Sequence, residues 1–458
     1  MKTNKIALFT TIFLMMVLSS CKKGWLEANP DQSLIVPKTL EDFRALLDNT
    51  SPTFNINQAC GLAEIASGDF YILYSSWQSL FTVQEKSAYT WAPTANFYNG
   101  ETSADWENSY RRILNSNVIL DGIKKIKAPT TRQDEWNNIY GSALFFRAFD
   151  FFNLAQEYCT AYIQATAKSE LGLPLRLDYN VNIQLQRSTL QQTYDQIIRD
   201  LKSAIPLLDT TPLFKTRPSR QAVFALLART YLAMEDYQPA GLYADSALQI
   251  QSDLMDYATL NPDAAYPIQR FNPEVIFQST FTFGIFNASR LIVEPTLLSN
   301  YAENDYRPKI FFKHNTNGSA TYKGSYNSDK NLFGGLATDE LFLIRAESNA
   351  RDGKIAIALA DLNHLLRNRY NRKYRDINAD NAEQVLNYIV NERRKELVFR
   401  GLRWQDLRRL NRDNRFSITL TRTFNNQTYT LMPNDKRYIF PIDEMELSLT
   451  GIQQNDRE

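Results

Sequence analysis

Apolar residues recur at helical spacing along most of the chain from Trp106 onward. Trp106, Tyr110, Ile113 and Asn117 fall at i, i+4, i+7 and i+11, which is one face of a helix. The run 134–157 predicts a second helix, with Leu144, Ala148, Phe151 and Phe152 inward. A third, 189–208, repeats Tyr194, Ile197, Ile198, Leu201 and Ile205. The segments 219–235 and 237–250 predict a helix pair. Within it Ala228, Tyr231, Ala240 and Ala247 stand at offsets 0, 3, 12 and 19. That is the small, aromatic and small spacing of a tetratricopeptide repeat, where alanines let antiparallel helices approach closely. A second copy lies at 339–369, with Ala346 and Ala358 twelve apart and Gly353 at the turn. The helix 134–157 reads as the opening of a third copy, whose partner at 189–208 is delayed by an insertion.

Other periods interrupt this pattern. Thr39 is placed to cap a short helix, with Asp42 in the capping-box position. Residues 275–283 read as a strand, and 313–330 as a polar hairpin or loop containing Gly318 and Gly324. The stretch from Ser417 reads as a hairpin turned at Asn425-Asn426. Asp380, with Glu383 three residues on, predicts the start of a helix that runs toward Gly401. The expected fold class is mainly α: interrupted tetratricopeptide-like helical repeats carrying loop and β-hairpin insertions.

The N-terminus reads differently. Lys2 and Lys5 precede a mainly apolar stretch from Ile6 to Leu18 and then small residues, the pattern of a secretory signal peptide over 1–20. Leu18-Ser19-Ser20-Cys21 resembles a bacterial lipobox, which implies cleavage before Cys21 and acylation of its thiol as a lipid anchor. Acyl chains contribute ~0.8 kcal/mol per buried methylene, so several would hold a soluble body at a membrane surface. Two regions are expected after the signal, 21–260 and 261–458, packed as one body.

Charge narrows the function. Lysine and arginine total 51 against 50 acidic residues, so the chain has no basic excess to offer a nucleic acid. HExxH, CxxC, GxxxxGK[ST] and GxSxG are all absent, and no metal or cofactor is expected. The run NERRKELVFRGLRWQDLRRL at 391–410 is locally rich in charge, but its acids and bases interleave. Glu392 and Glu396 share a helix face, flanked by Arg393 and Lys395, and Asp406 follows Arg403 by three. We read Glu392, Arg393, Glu396, Arg403, Trp404, Asp406 and Arg408 as a structural clasp joining the last helices to the repeats.

The same run, ERRKELVFRGLRWQDLRR at 392–409, resembles the C-terminal signature of the SusD/RagB family of outer-membrane nutrient-binding lipoproteins. Further segments agree in order: the W-x3-Y-x2-I-x3-N-x2-L helix from Trp106, GSALFFRAFDFFNLAQEY followed by GLPL at 172–175, NPEVIF at 272–277, and FPIDEMELS at 440–448. Arg400 stands where the family often carries glutamate. The resemblance implies a SusD-like N-terminal region, a RagB/SusD C-terminal region, and a chain that is not an enzyme. It implies a lipid-anchored position at the outer membrane, facing the cell exterior, beside a TonB-dependent SusC-type transporter. The ligand would be an oligosaccharide or a peptide, captured and handed to the pore.

Recognition of a sugar calls for aromatic faces. Candidates are Trp77, Trp91 and Tyr98 in the loop-rich stretch 68–100, and Tyr306, Tyr322 and Tyr326 in the later insertion. Trp91 is the first choice, because the Pro, Asn and Gly around it suggest an exposed loop. The alternative is an envelope scaffold whose repeats bind only protein partners. A glycoside hydrolase would need two facing carboxylates, which one sequence does not pair.

Overall fold

The computed structural model describes residues 37–127 and 130–458. The signal segment 1–20, Cys21 and the stretch to residue 36 lie outside the described residues. Thr39 starts α1 (Leu40–Leu47) as expected: its hydroxyl accepts the Asp42 N–H while the Asp42 carboxylate accepts the Thr39 N–H at 3.0 Å. The other helices that matter below are α2 (Gly61–Ala66), α3 (Val83–Tyr89), α4 (Ala104–Gly122), α5 (Gln133–Tyr158), α6 (Leu190–Ala204), α7 (Arg220–Ala233) and α8 (Tyr237–Ile250). They are followed by α9 (Thr338–Arg351), α10 (Ile355–Arg367), α11 (Ala382–Glu396) and α12 (Arg403–Leu410).

These helices stack in chain order. α4 packs on α5, α5 on α6, α6 on α7, α7 on α8, α8 on α9, and α9 on both α10 and α11. The three repeat pairs are therefore α5/α6, α7/α8 and α9/α10. Their small residues do what the spacing requires: Ala228, Ala240, Ala247, Ala346 and Ala358 are fully buried between helices. At Gly241 a β-carbon would come within 2.9 Å of Ser348, so α8 and α9 touch almost backbone to backbone. Tyr231 stacks on Tyr243 across the α7/α8 pair at 5.6 Å.

α5 is covered on several sides, by α1, α4 and α6, which explains why its second half is apolar nearly all round. Of its three interior charges, Glu157 accepts the Ala63 N–H, and the other two are matched by ion pairs. Arg147 meets Asp200 of α6 at 2.7 Å and Asp150 meets Arg112 of α4 at 2.7 Å. Asn117 accepts from Arg147 and donates to the Arg176 carbonyl, while the Tyr110 hydroxyl donates to the Pro174 carbonyl. The polar members of the early helix motif thus tie the 172–178 insertion onto the stack.

Among the described residues the strands form five antiparallel pairs. The strand expected over 275–283 is broken. β1 (Val275–Phe277) pairs with Leu336–Ala337 and β2 (Thr280–Phe281) with Leu332–Phe333. Between them Gln278 turns its N–H to the Lys215 carbonyl at 2.7 Å. Phe312–His314 and Ala320–Tyr322 form one hairpin, and Leu420–Phe424 with Gln427–Leu431 form another. The latter turns at Asn425 and Asn426, both at positive φ (51° and 58°), the chemistry of a tight two-residue turn. The cap of α11 is one residue later than expected: Asn381, not Asp380, accepts the Gln384 N–H, and the Gln384 Oε1 accepts the Asp380 N–H.

The charged run forms an interior network rather than a surface. Arg307 is fully buried and contacts Asp305 (2.6 Å), Glu392 (2.8 Å) and Glu396 (2.9 Å). Arg369 bridges Glu396 (2.7 Å) and Glu274 (2.8 Å). Arg393 pairs with Asp406, Arg409 with Glu347, and Arg400 with Asp339 beneath the ring of Tyr326. Asp406 is thus held by Arg393 and Arg409, and Arg403 makes no salt bridge to it. Arg408 caps the C-terminal end of α5 by donating to the carbonyls of Gln156 and Cys159, a favourable place for a cation. Trp404 is buried and stacks on Phe440 at 5.6 Å. Glu274, Asp339 and Glu396 converge within 4.8 Å, but each already has a guanidinium, which accounts for the cluster without an ion. Cys60 and Cys159 are buried free thiols.

Candidate ligand-binding surface

Two of the insertions meet on one face. The hairpin 420–431 alternates: Leu420, Arg422 and Phe424, facing Leu431, Tyr429 and Gln427, lie on one side, while Thr421, Thr423, Thr428 and Thr430 face water. Arg422 drives the inner side onto the body. Its guanidinium lies 3.9 Å over the Tyr89 ring and 4.6 Å over that of Trp91, and it donates to the Ile65 carbonyl at 2.8 Å. Burial pulls this guanidinium down to about 10, because no carboxylate pairs with it; the rings and carbonyls hold the cation instead.

Pinned this way, the hairpin brings Phe424 and Tyr429 against the loop-rich stretch before α4. Phe424 lies 5.5 Å from Trp77, 5.8 Å from Tyr74 and 5.2 Å from Tyr429. Tyr74 and Trp77 are stacked at 5.9 Å with their planes 16° apart. All four rings are partly exposed, and Leu73 and Phe81, the latter 95 % exposed, extend the apolar area. The Trp77 indole N–H donates to the Lys86 carbonyl, which fixes the ring's orientation. The result is an aromatic platform of four partly exposed rings, with Phe424 tilted 55° to Trp77 and 39° to Tyr74, and with the polar residues Ser75, Ser76, Asn425 and Asn426 next to it in sequence.

The six aromatics selected from sequence are not brought together. Trp77 lies in the platform. Tyr322 lines a separate cavity of about 670 Å³ formed by the 312–323 hairpin and the loop 262–266. Trp91, the first choice, is 2 % exposed: its backbone sits at positive φ (50°) and its indole N–H donates to the Ala66 carbonyl. The loop is exposed at Pro93, Ala95 and Asn96, as its composition suggests, but the ring turns inward. Tyr98 is equally buried and donates to the Pro441 carbonyl; Tyr326 donates to Glu274 in the ion-pair network. Tyr306 is half-buried and packed on the core, its N–H on the Arg369 carbonyl. Trp91, Tyr98 and Tyr326 are therefore structural, because a ring with no open face has nothing to stack on a ligand.

The platform and the cavity share a foundation. A row of buried rings runs from Phe424 through Tyr89 (5.7 Å), Phe70 (6.1 Å) and Phe399 (6.2 Å) to Tyr322 (4.7 Å). Phe399, in the charged C-terminal run, sits at positive φ (56°) to join that row. Sequence reading missed Tyr74, Phe424 and Tyr429. Alternation along 420–431 puts Phe424 and Tyr429 on one face, but nothing local tells what that face meets.

Comparison with known proteins comes to the same fold. A family model described as "Starch-binding associating with outer membrane" matches residues 24–232, and that of the SusD family matches 294–456. No curated protein matches the chain in sequence. Among solved structures, a SusD superfamily protein from Bacteroides thetaiotaomicron is 22 % identical, with a TM-score of 0.73 over 92 % of this chain and 100 % of that one. A SusD-like carbohydrate binding protein from Bacteroides vulgatus is 20 % identical, at 0.70 over 91 % and 97 %. A SusD superfamily protein from Bacteroides fragilis is 20 % identical, at 0.72 over 91 % and 99 %. The helical stack, the ion-paired C-terminal signature and two family models that follow one another along the chain make it a member of the SusD/RagB family.

Proposed function

We propose that this chain is a surface nutrient-binding lipoprotein that captures a glycan on the platform of Tyr74, Trp77, Phe424 and Tyr429. The platform carries the reading. Flat rings held rigidly by packing match the apolar C–H faces of sugar rings, and the surrounding amides and hydroxyls suit their hydroxyl groups. Binding needs no bond to be broken, so the protein acts without turnover. The bound glycan is passed to a SusC-type TonB-dependent transporter in the outer membrane, and the Cys21 lipid holds the body at the exterior face. The family descriptions, starch-binding and associated with the outer membrane, support this, as does the carbohydrate-binding description of one structural relative. Among the described residues no helix is long and apolar enough to cross a membrane, in keeping with attachment through the lipid.

The experiment is calorimetric binding to a panel of neutral and acidic oligosaccharides. Trp77→Ala is expected to weaken the best ligand about tenfold or more, the size of a central aromatic contact. A folded variant with unchanged affinity would remove the platform as the site.

A further inference from the structure

The cavity beside Tyr322 has a charge that the rest of the molecule avoids. Lys309, Lys313 and Lys323 all line it, against the single carboxylate of Asp263. Many interior guanidiniums are matched by carboxylates, whereas none of these three lysines has a salt-bridge partner among the described residues. Lys309 and Lys313 present exposed side chains. Lys323 is half-buried, and its ammonium donates to the carbonyls of Pro262 and Ala264, drawing the loop that carries Tyr266 across from the hairpin. Tyr266 and Tyr322 add two aromatic rings to the lining. A volume of about 670 Å³ lies within the range of small-ligand sites.

We propose that this cavity binds an acidic sugar, a uronate or sulfated residue, through Lys309 and Lys313 with Tyr266 and Tyr322 beneath its ring. Like charges gathered around one cavity repel each other until an anion is supplied. The two rings favour a saccharide over an acidic peptide, because an acidic sugar offers an anionic group and a flat C–H face together. This rests on the glycan-capture reading above, and gives its ligand a charge.

The test uses short oligogalacturonates and chondroitin sulfate fragments, each paired with its neutralised counterpart, methyl-esterified for the first and both desulfated and methyl-esterified for the second. At least one acidic form is expected to bind about tenfold more tightly than its counterpart, from two partly screened ion pairs. That preference should shrink as salt rises from ~0.05 to ~0.5 M, where the screening length falls to a few ångström. The double variant Lys309→Gln/Lys313→Gln should lose the preference with an unchanged unfolding temperature, since both side chains are exposed. Equal binding of acidic and neutral forms, or a preference that survives the double variant, would overturn the proposal. Neutral glycans bound through Trp77 with no acidic preference overturn it while sparing the glycan-capture reading. Binding of polyglutamate through these lysines, with no saccharide bound at all, overturns both.

Discussion

Arg307 and Lys309 stand two residues apart on one short helical turn and live in opposite worlds. Arg307 points into the core, fully buried, with three carboxylates around it. Lys309 points out into a cavity with no carboxylate paired to it. Two residues along a helix rotate a side chain by about 200°, so a single turn serves both faces. The difference teaches how this molecule divides its polar groups. Most interior cations are paired with carboxylates and hold elements together, Arg422 and Arg408 being held by carbonyls and rings instead, while the lysines of the insertion cavity stay unpaired. The aromatics divide the same way: Trp91 is enclosed, whereas Trp77 is stacked but open.

The largest expected effect comes from breaking the interior side of that comparison. Arg307→Met keeps volume but strands buried Asp305 without its cation and leaves Glu392 and Glu396 only Lys395 and Arg369. A loss of ~3–5 kcal/mol is expected, enough to unfold much of the protein, read as a large drop in unfolding temperature. Trp91→Ala should follow closely, at ~3–5 kcal/mol, because it opens a cavity beside Arg422 and removes a ring from its cage. Denaturant titration measures both.

A smaller effect concerns pH. Burial, and Asp69 beside it, push the Glu64 carboxyl up to about 8 from an ordinary value near 4.5, while its Oε2 accepts the Gly401 N–H. The folded chain therefore holds a proton that the unfolded chain has already released. Stability should fall as pH rises from about 5 to 8, and Glu64→Gln should flatten that part of the profile. Glu347 has the reverse sign. Burial alone would raise it, but Arg409 and Arg351 bring it down to about 2, so its share of stability is full above about 4.5 and is lost progressively as pH falls toward 2. The smallest effect belongs to the open side: Lys309→Gln should change stability by no more than ~0.5 kcal/mol.

Much of this architecture is legible in the chain. The helix pairs follow from alanines at fixed offsets, and the 425–426 turn from its two asparagines. Interleaving of acids and bases in 391–410 also signals self-neutralisation, but the partners do not follow from spacing. Asp406 pairs with Arg393, thirteen residues before it, and with Arg409, three residues after it, rather than with Arg403, three residues before it. The site is less legible. Trp91 and Trp77 belong to similar loop-rich sequence, and which ring is enclosed depends on Arg422, more than 300 residues later. Proline, asparagine and glycine report an exposed backbone; they do not report which way an aromatic side chain turns.

Paired measurements on Trp77→Ala and Trp91→Ala test the central division most directly: unfolding temperature and glycan affinity for each. The account predicts that Trp77→Ala keeps its unfolding temperature within a few degrees and loses most of its affinity, while Trp91→Ala loses its stability. A fully folded Trp77→Ala protein that binds glycan as well as the parent would contradict it.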